Sequence, residues 1–184
     1  MDPIADLKNE HRGVETMLRI VEAVSAECAH GREIKSGDLD AILEFLTVFV
    51  DRCHHGKEED FLFPALEAAG VPPDQDPIGV LLREHEQGRQ LVAELREAAK
   101  KFMSGDKAAG KKIEKTALDY VALLTRHIEK EEGVLFPIAA DMLPPDKQVE
   151  LSEAFERLEE ERIGVGKHEE FHQLLRRLGQ TYPS

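Results

Sequence analysis

Apolar residues recur every three to four positions along most of the chain, which is the spacing that places them on one face of an α-helix. The first such stripe follows Asp2, a favoured helix-capping residue, and Pro3, a favoured first helical residue, and it continues to Gly31. No run of alternating apolar and polar residues bounded by turn residues indicates a strand. The pattern therefore predicts an all-α protein.

Three more long helices follow the first one. The second ends at Gly70, the third begins with Asp76 and Pro77 as another cap and first residue, and the fourth starts near Asp106. Helices of this length joined by short connections are typical of an up-down-up-down four-helix bundle. We expect that arrangement here.

The predicted bundle occupies residues 1–143, and residues 144–184 form a C-terminal helical extension that we expect to pack on the same domain. The extension contains a helix over roughly residues 146–162, a Gly-Val-Gly turn and a short helix from Lys167 to Leu178. A chain of 184 residues is long enough to form one domain with a substantial core.

The second and fourth predicted helices contain the same motif. Residues 54–64 read His-His-Gly-Lys-Glu-Glu-Asp-Phe-Leu-Phe-Pro, and residues 127–137 read His-Ile-Glu-Lys-Glu-Glu-Gly-Val-Leu-Phe-Pro, 73 residues later. Each copy ends in a proline, Pro64 or Pro137, which is expected to bend the helix because it removes a backbone hydrogen bond.

A histidine also interrupts the apolar stripes of the first and third helices. Glu10 and His11 recur 74 residues later as Glu84 and His85, so a helix pair is used twice. A histidine and a glutamate four residues apart lie on the same side of a helix and can reach one point beside it. The residues expected to converge in the bundle are four histidines and two glutamates: His11, His54, Glu58, His85, His127 and Glu131.

Imidazole and carboxylate ligands without thiolates are typical of iron, manganese or zinc, and they argue against a cysteine-rich structural zinc site. The two glutamates, one from each half, could bridge two metal ions. Cys28 and Cys53 are too few for a disulfide scaffold. Cys53, which precedes His54, is either a redox-sensitive neighbour of the site or a small buried thiol.

The composition excludes several partners. The formal net charge is −13 at pH 7, whereas nucleic acids and anionic membrane surfaces select basic proteins. The chain has no apolar run of the ~18 residues that a membrane span needs, and its acidic opening leads us to expect no signal peptide. We expect a cytoplasmic protein whose ligand is a small molecule, while any protein partner stays unknown.

In combination, these motifs resemble the hemerythrin-like HHE cation-binding proteins over roughly residues 3–142. The resemblance implies two iron ions in a non-haem di-iron centre, with manganese or zinc as alternatives in the purified protein. The four histidines would be terminal ligands, and Glu58 and Glu131 would be bridges. The implied function is to bind or react with O2, peroxide or nitric oxide, which leaves open whether the protein is an enzyme. The alternative is a metal- or oxygen-sensing or iron-handling module, of the iron–sulfur repair type, that works without turnover.

The chain departs from the oxygen-carrying hemerythrins, in which a fifth histidine follows the third-helix histidine by four residues. Arg89 occupies that position here, and an arginine has no lone pair to offer a metal. The site therefore has four histidines or takes a fifth from elsewhere. His168, after the Gly-Val-Gly turn, and His55 are the candidates.

Arg89 has a counterpart of opposite charge, since Glu15 lies four residues after His11. We expect Glu15 and Arg89 to form an ion pair across the bundle, behind the ligands, that orients the ligand helices. Alternatively, Glu15 binds a metal ion directly.

Overall fold

The computed structural model describes residues 2–184, which are helical without any strand, so the all-α prediction is confirmed. Four segments, labelled π, are wound more widely than an α-helix. The helical segments in chain order are α1 Pro3–Ala29, α2 Asp38–Glu44, π1 Phe45–His55, π2 Glu58–Leu62, α3 Phe63–Ala68, α4 Ile78–Met103, α5 Ala109–Lys130, π3 Glu131–Leu135, α6 Phe136–Met142, α7 Pro145–Leu158, π4 Glu159–Ile163 and α8 Lys167–Thr181.

The start of α1 follows the predicted capping pattern. The Asp2 carboxylate accepts a hydrogen bond from the backbone amide of Ile4 at 2.9 Å, and Pro3 is the first helical residue. The helix ends at Ala29, two residues before Gly31, whose φ of 68° is left-handed. A glycine adopts that conformation at little steric cost.

The predicted start of the third helix was wrong. α4 begins at Ile78 without a side-chain cap, so Asp76 is not its capping residue and Pro77 is not its first residue. Backbone carbonyls satisfy the first amides instead, because the amide of Gly79 donates to the carbonyl of Gln75 at 2.8 Å.

Each of the two prolines that end the repeated motif follows a π-helical turn. π2 directly precedes α3, which has Pro64 in its first turn, and π3 precedes α6, which has Pro137 in its first turn. A proline has no amide hydrogen, and its ring crowds the carbonyl four residues before it. The wider π-helical turn accommodates the missing backbone hydrogen bond. Glu58 and Glu131 are the first residues of π2 and π3.

The apolar core forms two clusters with a polar layer between them. On α1, Leu7 belongs to one cluster and Val14 to the other, and His11 lies between them. On α4, His85 likewise lies between Leu81 and Leu95. The polar layer is therefore enclosed by apolar packing above and below.

The C-terminal helices contact the first 143 residues through aromatic side chains. Phe171 of α8 meets the rings of Phe45 and Phe49 edge-on, with centroid distances of 5.3 and 5.8 Å. Phe155 of α7 lies under the ammonium group of Lys57, which is 5.4 Å from the ring centroid. No helix among residues 2–184 is long and apolar enough to cross a membrane.

Candidate metal centre

All six predicted ligands are buried in the polar layer, with at most 2% of any of them exposed. Their donor atoms form two groups, and within each group these atoms lie within 4.8 Å of one another. The first ion position has His11 and His54, the second has His85 and His127, and Glu58 and Glu131 belong to both. The structure therefore brings together the histidines and glutamates expected from the repeat.

The ring Nε2 atoms point toward the shared carboxylates. His11 Nε2 lies 3.1 Å from His54 Nε2 and 3.0 Å from Glu131 Oε2. At the second position, His127 Nε2 lies 3.1 Å from His85 Nε2 and 2.8 Å from Glu131 Oε1. Four imidazole nitrogens thus face the same small space as the carboxylate oxygens.

Three of the four oxygens of the shared carboxylates lack a hydrogen-bond partner within residues 2–184. Among the described residues, both oxygens of Glu58 and Oε1 of Glu131 are buried without a hydrogen bond. His85 Nε2 is 3.2 Å from Glu58 Oε2, but the contact does not have hydrogen-bond geometry. Buried, unpartnered carboxylate oxygens are costly, and a cation would supply the missing interaction. The donor set therefore fits one metal ion at each position, with both glutamates shared.

The other nitrogen of each imidazole contacts a carboxylate. The contact orients the ring, and a proton on Nδ1 leaves the Nε2 lone pair directed inward. The four Nδ1–carboxylate pairs are His11–Glu132 at 2.9 Å, His54–Glu10 at 2.8 Å, His85–Glu59 at 2.7 Å and His127–Glu84 at 2.9 Å.

Each of these carboxylates is itself paired with a cation, an arrangement that the sequence analysis missed. The pairs are Glu10–Lys57, Glu84–Lys130, Glu132–Arg12 and Glu59–Arg89. The signal that could have revealed most of them is the repeat itself, because the glutamates and lysines recur at the same 73- or 74-residue spacing as the ligands. The two arginines do not follow the repeat.

The expected ion pair between Glu15 and Arg89 does not form. Glu15 binds Arg12, three residues before it on the same helix, at 3.0 Å. Arg89 binds Asp51 at 2.9 Å and Glu59 at 2.6 Å, because these carboxylates lie directly opposite it. Arg89 is therefore connected to His85 through Glu59, which contacts His85 Nδ1, and neither ion position includes Glu15.

The structure separates the two candidates for a fifth ligand. His168 lies outside both ion positions, with Nε2 3.5 Å from Cys53 Sγ and 3.7 Å from a carboxylate oxygen of Glu159. His55 is buried and stacks on His85, with ring centroids 3.8 Å apart. Of the two, only His55 contacts a residue of an ion position.

Burial and the neighbouring charges have opposite effects on the pKa values of the buried histidines and glutamates at the centre. Burial lowers the pKa of His54, but Glu58 and Glu10 outweigh it and hold that pKa well above its usual range. Burial also lowers the pKa of His127, yet Glu131 and other carboxylates raise it to about 10. Burial raises the pKa of Glu131, while His127 foremost brings it well below normal. A metal ion must therefore displace protons from imidazoles that the carboxylates hold.

Burial also shifts the pKa values of two neighbouring side chains, Cys53 and His55. It raises the pKa of the Cys53 thiol, and Glu10 adds to the effect, so Cys53 is a poor nucleophile. Burial lowers the pKa of His55 well below its usual range, and His85 and His127 add to that shift.

The fold and the site define a helical cation-binding protein with two groups of histidines and two shared glutamates. The family model of the hemerythrin HHE cation binding domain matches residues 2–139, and the chain belongs to this family.

Curated relatives include the uncharacterized proteins Mb2018 of Mycobacterium bovis and Rv1995 of Mycobacterium tuberculosis. Each is 25% identical over 159 residues, which make up 86% of this chain and 62% of the relative. The chain thus spans less than two thirds of the length of these relatives. No solved structure shows a significant match.

Proposed function

We propose that the protein is a non-haem di-iron protein that binds or reacts with O2, peroxide or nitric oxide. The observation that carries the proposal is the pair of shared, buried carboxylates, with unpartnered oxygens, between four inward-facing imidazoles. Mixed nitrogen and oxygen ligands suit iron, although manganese and zinc accept them too. Two bound iron ions would supply redox chemistry and open coordination positions for a small ligand.

The protein residues orient the ligands and exclude water. The carboxylates at Nδ1 fix the imidazole rings, and Phe136 and Phe63 stack on His11 and His85 with centroid distances of 5.4 and 5.9 Å. Leu62, Leu135 and these two phenylalanines are at most 1% exposed. Such a dry surrounding strengthens the electrostatic interactions within the site.

We take α1, α2 to α3, α4 and α5 to α6 as the four helices of an up-down-up-down bundle over residues 1–143, with residues 144–184 as its helical extension. The packing of α1 and α4 against α5 supports this arrangement.

The second candidate is a metal- or oxygen-sensing or iron-handling module without turnover. It is favoured by a chain of contacts that leads from His54 through Glu10 and Lys57 to Glu159 in the C-terminal segment. Through this chain of contacts, metal binding or loss at the first ion position could alter the surface of the C-terminal extension.

Metal analysis of protein purified without added metal tests the proposal. We expect two iron ions per chain, and ferric charge-transfer absorption when the anaerobic ferrous protein meets O2. The variants Glu58→Ala and Glu131→Ala should hold fewer than one ion per chain, whereas Glu129→Ala, an exposed glutamate of α5, should hold two.

The possible results separate the candidates. Two iron ions without any reaction with O2, peroxide or nitric oxide would favour the metal-sensing or iron-handling form of the second candidate. Two zinc or manganese ions would contradict the iron assignment, and protein without metal would contradict both candidates.

A further inference from the structure

A groove of about 240 Å³ beside α4 reaches the buried ring of His55. Only 4% of His55 is exposed, and neither of its ring nitrogens has a hydrogen-bond partner among residues 2–184. Asp51 Oδ1 is 3.4 Å from His55 Nδ1, but the contact does not have hydrogen-bond geometry. The polar residues that line the groove are Thr47, Asp51, His55, Arg89, Arg96 and Tyr120.

Packing alone does not require a histidine at this position. The residue 73 positions later in the repeat is Ile128, which is 5% exposed and belongs to the apolar core. A buried imidazole always carries at least one N–H donor, and leaving that donor unpaired is costly. His55 therefore has an unpaired N–H donor. The groove has room for a ligand that would accept a hydrogen bond from it.

One of the two arginines that line the groove has no carboxylate partner among residues 2–184. Arg89 is paired with Asp51 and Glu59, whereas the hydrogen bond of Arg96 goes to Thr47 Oγ1 at 2.9 Å. Within residues 2–184, no carboxylate lies at ion-pair distance from Arg96, so its guanidinium charge is not compensated locally. Because Asp51 and Glu59 neutralise Arg89, the uncompensated charge of the groove is that of Arg96, which favours a ligand with a single negative charge.

The groove is smaller than sites for drug-sized molecules, which measure ~300–1,000 Å³, so it suits a small ligand. We propose that this groove binds a small monoanion, which Arg96 attracts at the outer end and a ring N–H of His55 holds at the inner end. The anion would then lie next to the imidazole that stacks on His85, beside the second ion position. This site goes beyond the proposed function, since it requires neither iron nor a particular reaction.

Nitrite binding to the full-length, metal-loaded protein tests the site, with affinity measured by calorimetry and association by stopped flow. His55→Ile is the matched variant, because the repeat itself places isoleucine at the equivalent position. It should lower the nitrite affinity roughly tenfold or more, since it removes the donor at the inner end. Arg96→Gln should slow association several-fold and reduce its dependence on salt.

Arg126→Gln is the control, since it removes the same charge from an exposed position of α5 outside the groove. It should leave nitrite binding unchanged, and all three variants should keep the wild-type metal content.

Three results would overturn the anion site: no nitrite binding to the wild type at millimolar concentration, an unchanged affinity in His55→Ile, or an unchanged association rate in Arg96→Gln. Loss of metal from His55→Ile would make His55 a metal ligand and would overturn the site as well. The metal content of the wild type, measured separately, shows whether the di-iron proposal has failed instead.

Discussion

At the scale of single residues, the side chains behind the imidazoles decide how the ligands point. A carboxylate fixes each Nδ1, and a lysine or arginine pairs with each carboxylate. Removing such a cation leaves the carboxylate free to turn toward water or toward a metal ion. The ligand geometry therefore depends on residues that do not touch the metal.

Arg89→Ala should weaken metal binding at the second ion position. Arg89 pairs with Glu59, which in turn contacts His85 Nδ1, and loss of such a supporting contact typically costs about 10–100-fold in metal affinity. Competition with a chelator measures the change. Glu97→Gln on the same helix is the control, because its exposed pair with Lys100 contributes little. Equal metal affinity in Arg89→Ala and the wild type would show that Glu59 holds His85 without help.

The metal-free protein should become less stable as the pH rises from about 6.5 to about 10. The pKa of His127 is raised from 6.5 to about 10 in the folded protein, and that of His54 is raised as well. A group whose pKa is higher in the folded protein than in the unfolded chain stabilises the fold fully at a pH below the unfolded pKa. This stabilisation is lost as the pH rises above the folded pKa.

We expect the Tm of the metal-free protein to fall by several degrees over this range. The Tm of the metal-loaded protein should change less, because its imidazoles bind metal instead of protons. A flat or rising Tm for the metal-free protein would show that the carboxylates do not hold these protons. His30→Ala, which changes an exposed histidine, should leave the profile unaltered.

At the scale of helices, the sequence predicted what helix geometry alone determines. His54 and Glu58 converge because residues four apart are neighbours on the surface of an α-helix, and the π-helical turns found here keep His54 Nε2 and Glu58 Oε1 3.6 Å apart. The partner of Arg89 could not be predicted, since several carboxylates were within its reach and tertiary packing decided between them. The position of His168 likewise depends on how α8 packs, which no local pattern encodes. The start of α4 was missed because backbone carbonyls, rather than Asp76, satisfy its first amides.

The contact between α1 and α5 tolerates no side chain at Gly110. A Cβ atom there would lie 1.9 Å from the carbonyl oxygen of Cys28, so one helix would have to move. Gly110→Ala should therefore lower the free energy of unfolding by about 1–3 kcal/mol, the usual cost of overpacking. Gly179→Ala in α8, with nothing within 4 Å, should instead raise it by about 0.5–1 kcal/mol. Denaturant unfolding measures both changes, and equal stabilities would contradict the close approach.

At the scale of the whole molecule, the two ion positions differ although the repeat makes them similar. The first is linked to the C-terminal segment, and the second is flanked by His55 and its groove. The lysines behind them differ too. Lys57 is fully buried among three carboxylates, whereas 43% of the Lys130 side chain is exposed and it pairs with Glu84. Two ions bound here would have unequal surroundings.

Glu159→Gln should therefore affect the first ion position and leave the second unchanged. Glu159 is one of the three carboxylates around Lys57, together with Asp6 and Glu10, and Glu10 contacts His54 Nδ1. With one negative charge removed, Lys57 should draw more strongly on Glu10 and loosen its hold on His54. Because Lys57 is buried, we expect the free energy of unfolding to fall by about 1–3 kcal/mol.

Metal release to a chelator distinguishes this local effect from general destabilisation. In Glu159→Gln, one of the two ions should leave several-fold faster than in the wild type, while the other keeps its rate. Glu160→Gln removes the same charge from the adjacent exposed position and should match the wild type. If both ions left faster together, the C-terminal helices would support the whole bundle rather than one ion position. A single faster phase would mean that the extension controls the affinity of the His11 and His54 position alone.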